Sequence, residues 1–192
     1  MNLPNKLTLA RILLVPFFVA ALLIDFPLNN LAALLIFIAA SLTDMLDGKI
    51  ARKQGLITDF GKFADPLADK ILVISALLCF VQLGLCDCVA VIIVLFREFA
   101  VTSIRLIAAS KGKVIAANMW GKVKTVTQMV SIICVITMQL VLDLMPLGVP
   151  LPCVLPTVFY YIGEALIWIS TFFALLSGVI YIAQNKQFIS DY

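Results

Sequence analysis

Apolar residues run in six long blocks along the chain, and short polar or proline-containing stretches separate the blocks. A helix of about 20 mostly apolar residues is long enough to cross the hydrocarbon core of a bilayer. Turn-forming residues lie between the blocks at 25–30, at Gly84 and Asp87, and at 146–156. The pattern therefore predicts six transmembrane helices, at residues 6–25, 30–52, 62–85, 87–109, 122–143 and 157–184.

The composition agrees with an all-α integral membrane protein. Of the 192 residues, 63% are apolar and 13% are charged, whereas a soluble domain has about 45–50% apolar and about 25% charged residues. A soluble globule is excluded, and so is a disordered chain, which would be poor in apolar residues. We expect one domain over 1–192. We also expect the first block to be retained, because five further blocks and no A-x-A-like cleavage site follow it.

The positive charges lie at one end of the predicted bundle. The net charge is only +3, but all fourteen lysines and arginines fall on the same side of the map, and the opposite turns carry Asp25, Asp87 and Asp143. Basic residues collect on the cytoplasmic side of membrane proteins. The distribution predicts that both termini are cytoplasmic.

A regularly spaced set of carboxylates lies on the second and third predicted helices, on either side of the connection between them. The sequence reads Asp44-x-x-Asp47-Gly48-x-x-Ala51-Arg52, then eight residues, then Gly61-x-x-x-Asp65-x-x-x-Asp69. Residues four apart share one face of a helix. The two helices therefore each present a stripe, and the short connection between them lets the stripes face each other at the cytoplasmic surface.

Four carboxylates in a poorly solvated site repel each other unless cations neutralise them. Oxygen ligands in a chain without histidine favour Mg²⁺ or Mn²⁺ over zinc. A pair of such metals suits displacement at phosphorus. Gly48 would let a diphosphate approach the helix backbone, and Arg52 is placed to bind phosphate oxygens.

The carboxylates have two other interpretations. They could form a solvated face that pairs with neighbouring lysines, although this does not explain the regular spacing. They could also line the path of a divalent-cation transporter. Conduction needs polar groups at successive depths, whereas these acids cluster at one end and Arg52 would repel a cation.

The spaced motif resembles the signature of the CDP-alcohol phosphatidyltransferase family. The resemblance implies a six-helix membrane bundle in which an alcohol hydroxyl displaces CMP from a CDP-linked substrate with the help of two divalent metals. It implies that Asp44, Asp47, Asp65 and Asp69 are metal ligands and that Asp69 is also the general base. The CDP site would include Asn5, Thr8, Asp47, Gly48, Arg52 and Gly61, with Arg11 also at the cytoplasmic mouth.

A second basic group, together with three local patterns, suggests the acceptor. The basic group would bind a phosphorylated acceptor, or anchor the protein at the membrane surface; it consists of Arg97, Arg105, Lys113, Lys122 and Lys124. The patterns are Pro4-Asn5-x-x-Thr8-x-x-Arg11, Arg97-Glu98-Phe99 and Gly121-Lys122-x-Lys124-Thr125. They are similar to those of bacterial family members that join CDP-diacylglycerol to sn-glycerol 3-phosphate. Related cardiolipin synthases and inositol-phosphate or serine transferases remain alternatives.

The remaining expectations concern partners and isolated polar residues. The resemblance implies a homodimer in a bacterial plasma membrane, and we expect no nucleic-acid partner. The five cysteines form no CxxC pair and are expected to be small apolar fillers rather than disulfides. We expect Glu98 to pair with Arg97 or another arginine. Glu164 lies inside the sixth block, where a carboxylate often has a function, but we expect Tyr160, Tyr161 or Trp168 to satisfy it at the outer interface.

Overall fold

The computed structural model is built of α-helices, in the order that the apolar blocks predict. It describes residues 3–54, 59–110, 112 and 118–186, with side chains at 7–43, 67–68, 70–110, 112 and 118–186. The helices of this described part are α1 (Leu3–Leu23), α2 (Asn29–Gln54), α3 (Asp59–Gln82), α4 (Cys88–Ser110), α5 (Met119–Leu142) and α6 (Leu155–Gln184). The prediction of an all-helical fold is confirmed.

Two helices of the described part, α5 and α6, are long and apolar enough to cross a membrane. Shorter apolar segments cover Leu7–Leu23, Asn29–Thr43 and Lys70–Gln82. In α2 and α3 these segments are continuous with the charged residues of the acidic motif. Membrane crossing by all six helices, and the orientation of the termini, stay predictions.

The turn between α3 and α4 follows the predicted glycine and aspartate. Gly84 has a φ of +68°, a left-handed conformation that glycine adopts without steric cost. The third helix therefore ends at Gln82, a little before its predicted bound at residue 85. Asp87 Oδ1 accepts a hydrogen bond from the Val89 amide at 2.8 Å, and this contact caps the first turn of α4.

Glu164 of α6 meets this same turn. Its Oε1 accepts hydrogen bonds from the Trp168 indole nitrogen at 3.0 Å and from the Asp87 amide at 3.3 Å. The expected contact between Trp168 and Glu164 is confirmed, but Oε2 is buried and has no hydrogen-bond partner among the described residues. The rings of Tyr160 and Tyr161 pack edge to face against each other. Glu164 therefore links α6 to the start of α4.

The apolar core joins all six helices. Helix α1 packs against α2 and α3, where the rings of Phe18 and Phe37 lie 5.5 Å apart. Ala33 and Ala40 are fully buried on α2, and such small side chains let helix backbones approach closely. Helix α5 packs against α2, α3 and α6, while α4 packs against α3 and α6. One surface of each of α3, α4 and α5 consequently faces the bundle interior.

Candidate active site

The two helices predicted to carry the acidic motif do carry it. Asp44, Asp47, Gly48 and Arg52 lie in the second half of α2, and Gly61, Asp65 and Asp69 lie in the first half of α3. These two helices contact each other. The side chains of the motif lie outside the described residues. Their roles in binding metal and CDP, and the role of Asp69 as base, therefore stay predictions.

Helix α1 is fixed against the helix turn that precedes the motif. Thr8 is fully buried and Arg11 is 1% exposed. Arg11 Nε donates to the carbonyl oxygen of Ala40 at 3.3 Å, and Ala40 lies one helical turn before Asp44. The buried arginine thus connects α1 to α2 beside the predicted nucleotide site. Asn5 lies in α1, with its side chain outside the described residues.

Glu98 of α4 is at the centre of a buried charge cluster. Its Oε1 lies 2.7 Å from Arg97 Nη1 and 2.6 Å from Lys124 Nζ, and its Oε2 lies 3.8 Å from Lys70 Nζ. Glu98 and Lys124 are each only 8% exposed. The expected pairing of Glu98 with Arg97 is confirmed, and the carboxylate also gathers cations from α3 and α5. We call these four residues the Glu98 cluster.

The Glu98 cluster adjoins the acidic motif along α3. Lys70 immediately follows Asp69, and Lys70 Nζ also donates to the hydroxyl of Thr102 on α4. Thr102 in turn donates to the carbonyl oxygen of Glu98 at 2.7 Å. A chain of polar contacts therefore runs from the residue after the predicted base to the centre of the cluster.

Arg97 and Arg105 both contact α6. Arg97 Nη2 donates to Ser177 Oγ at 2.7 Å, and Arg105 Nε donates to the Tyr181 hydroxyl at 3.3 Å. The Arg105 guanidinium also lies 5.5 Å from the centre of the Tyr181 ring, within the range of a cation–π interaction. Ser177 and Tyr181 are one turn apart, so α6 holds the two arginines in neighbouring positions.

The predicted acceptor residues are thus divided among several places. Arg97 and Lys124 meet at Glu98, whereas Arg105 is exposed beside Tyr181 and Lys122 is exposed at the start of α5. Lys113 lies outside the described residues. The structure therefore brings Arg97 and Lys124 together, and binding of a phosphate by these residues stays a prediction.

A small cavity of about 20 Å³ lies beside the Glu98 cluster, between α3, α4 and α5. Its polar lining residues are Lys70, Glu98, Lys124, Thr125 and Gln128. Gln128 is 2% exposed, and its Nε2 has no hydrogen-bond partner among the described residues. Gln128 is not among the site residues that the sequence predicts. The available signal was its position four residues after Lys124, which puts both on one helix face.

Comparison with known proteins agrees with the motif. The family model described as CDP-alcohol phosphatidyltransferase matches residues 1–176. In the part of the chain that the structure describes, α2 and α3 carry the complete acidic motif, and the family model matches most of the chain around it. The chain belongs to the CDP-alcohol phosphatidyltransferase family.

Several known proteins are similar to this chain over two thirds of its length or more. The CDP-diacylglycerol–glycerol-3-phosphate 3-phosphatidyltransferase of Bacillus subtilis (strain 168) is 41% identical over 97% of this chain and 96% of its own length. The protein of the same name from Rickettsia bellii (strain RML369-C) is 32% identical over 97% of each chain. A probable phosphatidylglycerophosphate synthase of Mycobacterium tuberculosis (strain ATCC 25618 / H37Rv) is 42% identical over 68% of this chain and 64% of its own.

Proposed function

We propose that this protein transfers the phosphatidyl group of CDP-diacylglycerol to sn-glycerol 3-phosphate, giving phosphatidylglycerophosphate and CMP. The family membership and the printed names of the relatives support the reaction type and both substrates. The observation that supports a phosphorylated acceptor is the Glu98 cluster, because a neutral acceptor such as inositol gives no reason for cations that converge from three helices. Among phosphorylated acceptors, the names of the relatives favour glycerol 3-phosphate.

The composition of the cluster favours an anionic acceptor. Cations from α3, α4 and α5 converge on the single carboxylate of Glu98. A phosphate monoester carries about −1.5 to −2 charges at neutral pH, and convergent arginine and lysine side chains bind such groups through charge-assisted hydrogen bonds. Lys124 Nζ has three donors, of which one reaches Glu98 Oε1.

The donor set of the acidic motif fits divalent metals. Asp44, Asp47, Asp65 and Asp69 offer only carboxylate oxygens, and the chain contains no histidine, which suits Mg²⁺ or Mn²⁺. Two such ions, held by these four residues, would supply charge stabilisation for displacement at phosphorus. We infer that this is the metal site.

The residues of the chain then have separate tasks in the transfer. Gly48, Gly61 and Arg52, with Asn5 and Thr8 of α1, bind and orient the CDP group. Asp69 accepts the proton of the acceptor hydroxyl as its oxygen bonds to the lipid-side phosphorus. The bond from that phosphorus to the oxygen of CMP breaks, and CMP leaves. Catalysis consists of positioning and charge stabilisation.

We further propose the cellular setting that the pattern of apolar and basic residues predicts. All six helices cross the plasma membrane of a bacterium as one domain. Both termini and the active site are on the cytoplasmic side, where the soluble acceptor is available. A homodimer is proposed from the family resemblance alone.

The deciding experiment measures CMP release by the purified protein in detergent with CDP-diacylglycerol and Mg²⁺. Parallel reactions contain glycerol 3-phosphate, inositol 1-phosphate, serine, phosphatidylglycerol or no acceptor. We expect release only with glycerol 3-phosphate, and we expect EDTA to abolish it. In the same assay Asp69→Asn should lower turnover by at least about 100-fold, because a general base typically contributes a factor of 10² or more.

Each other outcome would indicate a different activity. Release with phosphatidylglycerol alone would indicate a cardiolipin synthase, and release with inositol 1-phosphate or serine would indicate the corresponding transferase. If folded protein releases no CMP with any acceptor, the proposed enzyme activity is wrong. The divalent-cation transporter would then be tested by metal uptake into proteoliposomes.

A further inference from the structure

Gln128 lines the cavity but has no part in the proposed reaction. Its amide nitrogen has no hydrogen-bond partner among the described residues. Its side chain is 2% exposed, and Nε2 is fully enclosed. A buried donor left without a partner costs about 1–3 kcal/mol. This unfavourable free energy is removed when a bound ligand accepts a hydrogen bond from the donor.

The surroundings of Gln128 determine what kind of ligand atom fits. Lys124 lies one turn earlier on α5, and Lys124 and Lys70 both line the same cavity. Donors therefore converge there from α3 and α5, and Glu98 already accepts from Lys124 and Arg97. Convergent donors select an oxygen that accepts hydrogen bonds. The cavity of about 20 Å³ has room for one water-sized group.

We propose that Gln128 determines acceptor specificity by donating a hydrogen bond from Nε2 to one oxygen of the bound acceptor. This inference rests on the proposed function, since it names a contact in the same site. The acceptor's phosphate is held by the cations of the Glu98 cluster, and Gln128 contacts an oxygen that lies deeper along α5. A smaller or apolar acceptor would leave Nε2 unpaired, and the site therefore discriminates against it.

The test compares two changes of the same kind on α5. Gln128→Leu removes the amide while keeping the approximate volume, and Gln139→Leu makes that change near the other end of the helix, outside the site. Both full-length proteins are assayed in detergent for KM and kcat with glycerol 3-phosphate and with CDP-diacylglycerol. We expect Gln128→Leu to raise the KM for glycerol 3-phosphate about tenfold, the effect of one hydrogen bond to a charged ligand. Its KM for CDP-diacylglycerol, and both KM values of Gln139→Leu, should change by less than about twofold.

Gln128→Glu keeps the test decisive if the leucine variant does not fold. The new carboxylate has the size of the native amide, and Lys124, one turn earlier on the same helix face, can stabilise it. It should raise the KM for glycerol 3-phosphate at least about tenfold, because it repels the phosphate and removes the donor.

The remaining outcomes overturn the inference. An unchanged KM for glycerol 3-phosphate in a folded variant at position 128 would mean that the cavity holds a structural water only. Equal increases for both substrates would indicate a packing role. If the unaltered protein releases no CMP with glycerol 3-phosphate, the proposed function fails before the variants are compared, and this inference fails with it.

Discussion

Glu98 contacts cations from three helices, and each contact has a different geometry. Arg97 is its neighbour on α4 and Lys124 comes from α5, both within hydrogen-bonding distance, while Lys70 of α3 is 3.8 Å away. Burial of a carboxylate is unfavourable by itself, but here its removal would leave like charges facing each other. The carboxylate therefore sets the positions of the cations that are proposed to bind the acceptor.

Replacing this carboxylate by an amide tests its contribution to stability. We expect Glu98→Gln to lower the free energy of unfolding by about 3 kcal/mol, because breaking a buried ion pair leaves its partners uncompensated. Denaturant unfolding in detergent, followed by tryptophan fluorescence, measures the change. Glu164→Gln is the matched control: Glu164 accepts from an indole and a backbone amide, and an amide oxygen can accept both bonds. Its effect should be less than about 1 kcal/mol, and equal effects of the two substitutions would contradict the assigned role.

The sequence predicts the residues of this region to different extents. The pairing of Arg97 with Glu98 could be expected because adjacent opposite charges in an apolar helix have few other partners. Lys124 was identified as a cation, but not as a partner of Glu98, since that contact depends on how α4 and α5 are placed. The sequence indicates Gln128 only weakly, since its lack of a hydrogen-bond partner depends on which residues of other helices surround it.

Helix α6 supports α4 through one closely packed position. An added Cβ at Gly178 would lie 2.7 Å from Arg97 Cγ, which is closer than nonbonded carbon atoms approach. The adjacent Ser177 accepts the hydrogen bond from Arg97 Nη2. Absence of a side chain at Gly178 thus allows the arginine stem to lie against α6 and its guanidinium to contact Glu98.

Gly178→Ala should therefore disturb the packing of α4 on α6. We expect a loss of about 1–3 kcal/mol in the free energy of unfolding, the usual effect of overpacking, and an increased KM for glycerol 3-phosphate as Arg97 is displaced. Gly121→Ala is the control, because the atom nearest to its added Cβ is also on Arg97 but 3.9 Å away. That change should be neutral or slightly stabilising, since alanine favours helix more than glycine does. If both substitutions had the same effect on unfolding, close packing at Gly178 would not be its cause.

Helix number and approximate bounds followed from the apolar blocks because each block is long and ends at a turn-forming residue. The differences lie at the ends. Leu83–Leu85 are apolar and were included in the third block, but the positive φ of Gly84 ends α3 earlier. Asn29, Lys53 and Gln54 extend α2 beyond its predicted block, where hydropathy alone gives no helix signal. Helix α5 begins at Met119, three residues before its predicted bound, because the Asn118 side chain caps it by accepting a hydrogen bond from the Trp120 amide.

At the scale of the whole molecule, charge and cysteine positions distinguish the two ends of the bundle. The turn that precedes α4 contains Cys86 and Asp87, and the turn before α6 contains Cys153. Cys88 and Cys153 are exposed, whereas Cys86 is buried and its thiol donates to the Leu77 carbonyl oxygen. Burial, together with the nearby Glu164 carboxylate, raises the pKa of Cys86 to about 12. Below that pH the thiol stays protonated and reacts slowly with maleimides, which require the thiolate.

Native cysteines can therefore report the orientation of the protein in its membrane. Single-cysteine variants are produced in bacteria and treated, in intact spheroplasts, with a maleimide that does not cross membranes. With cytoplasmic termini, Cys88 and Cys153 should react from outside, while Ser110→Cys at the opposite end of α4 should react only after permeabilisation. Cys86 should stay unlabelled between pH 7 and 9 until the protein is denatured, which controls for nonspecific reaction. Labelling of Ser110→Cys in intact spheroplasts, with protection of Cys88 and Cys153, would reverse the proposed orientation and move the acidic motif away from its cytoplasmic substrate.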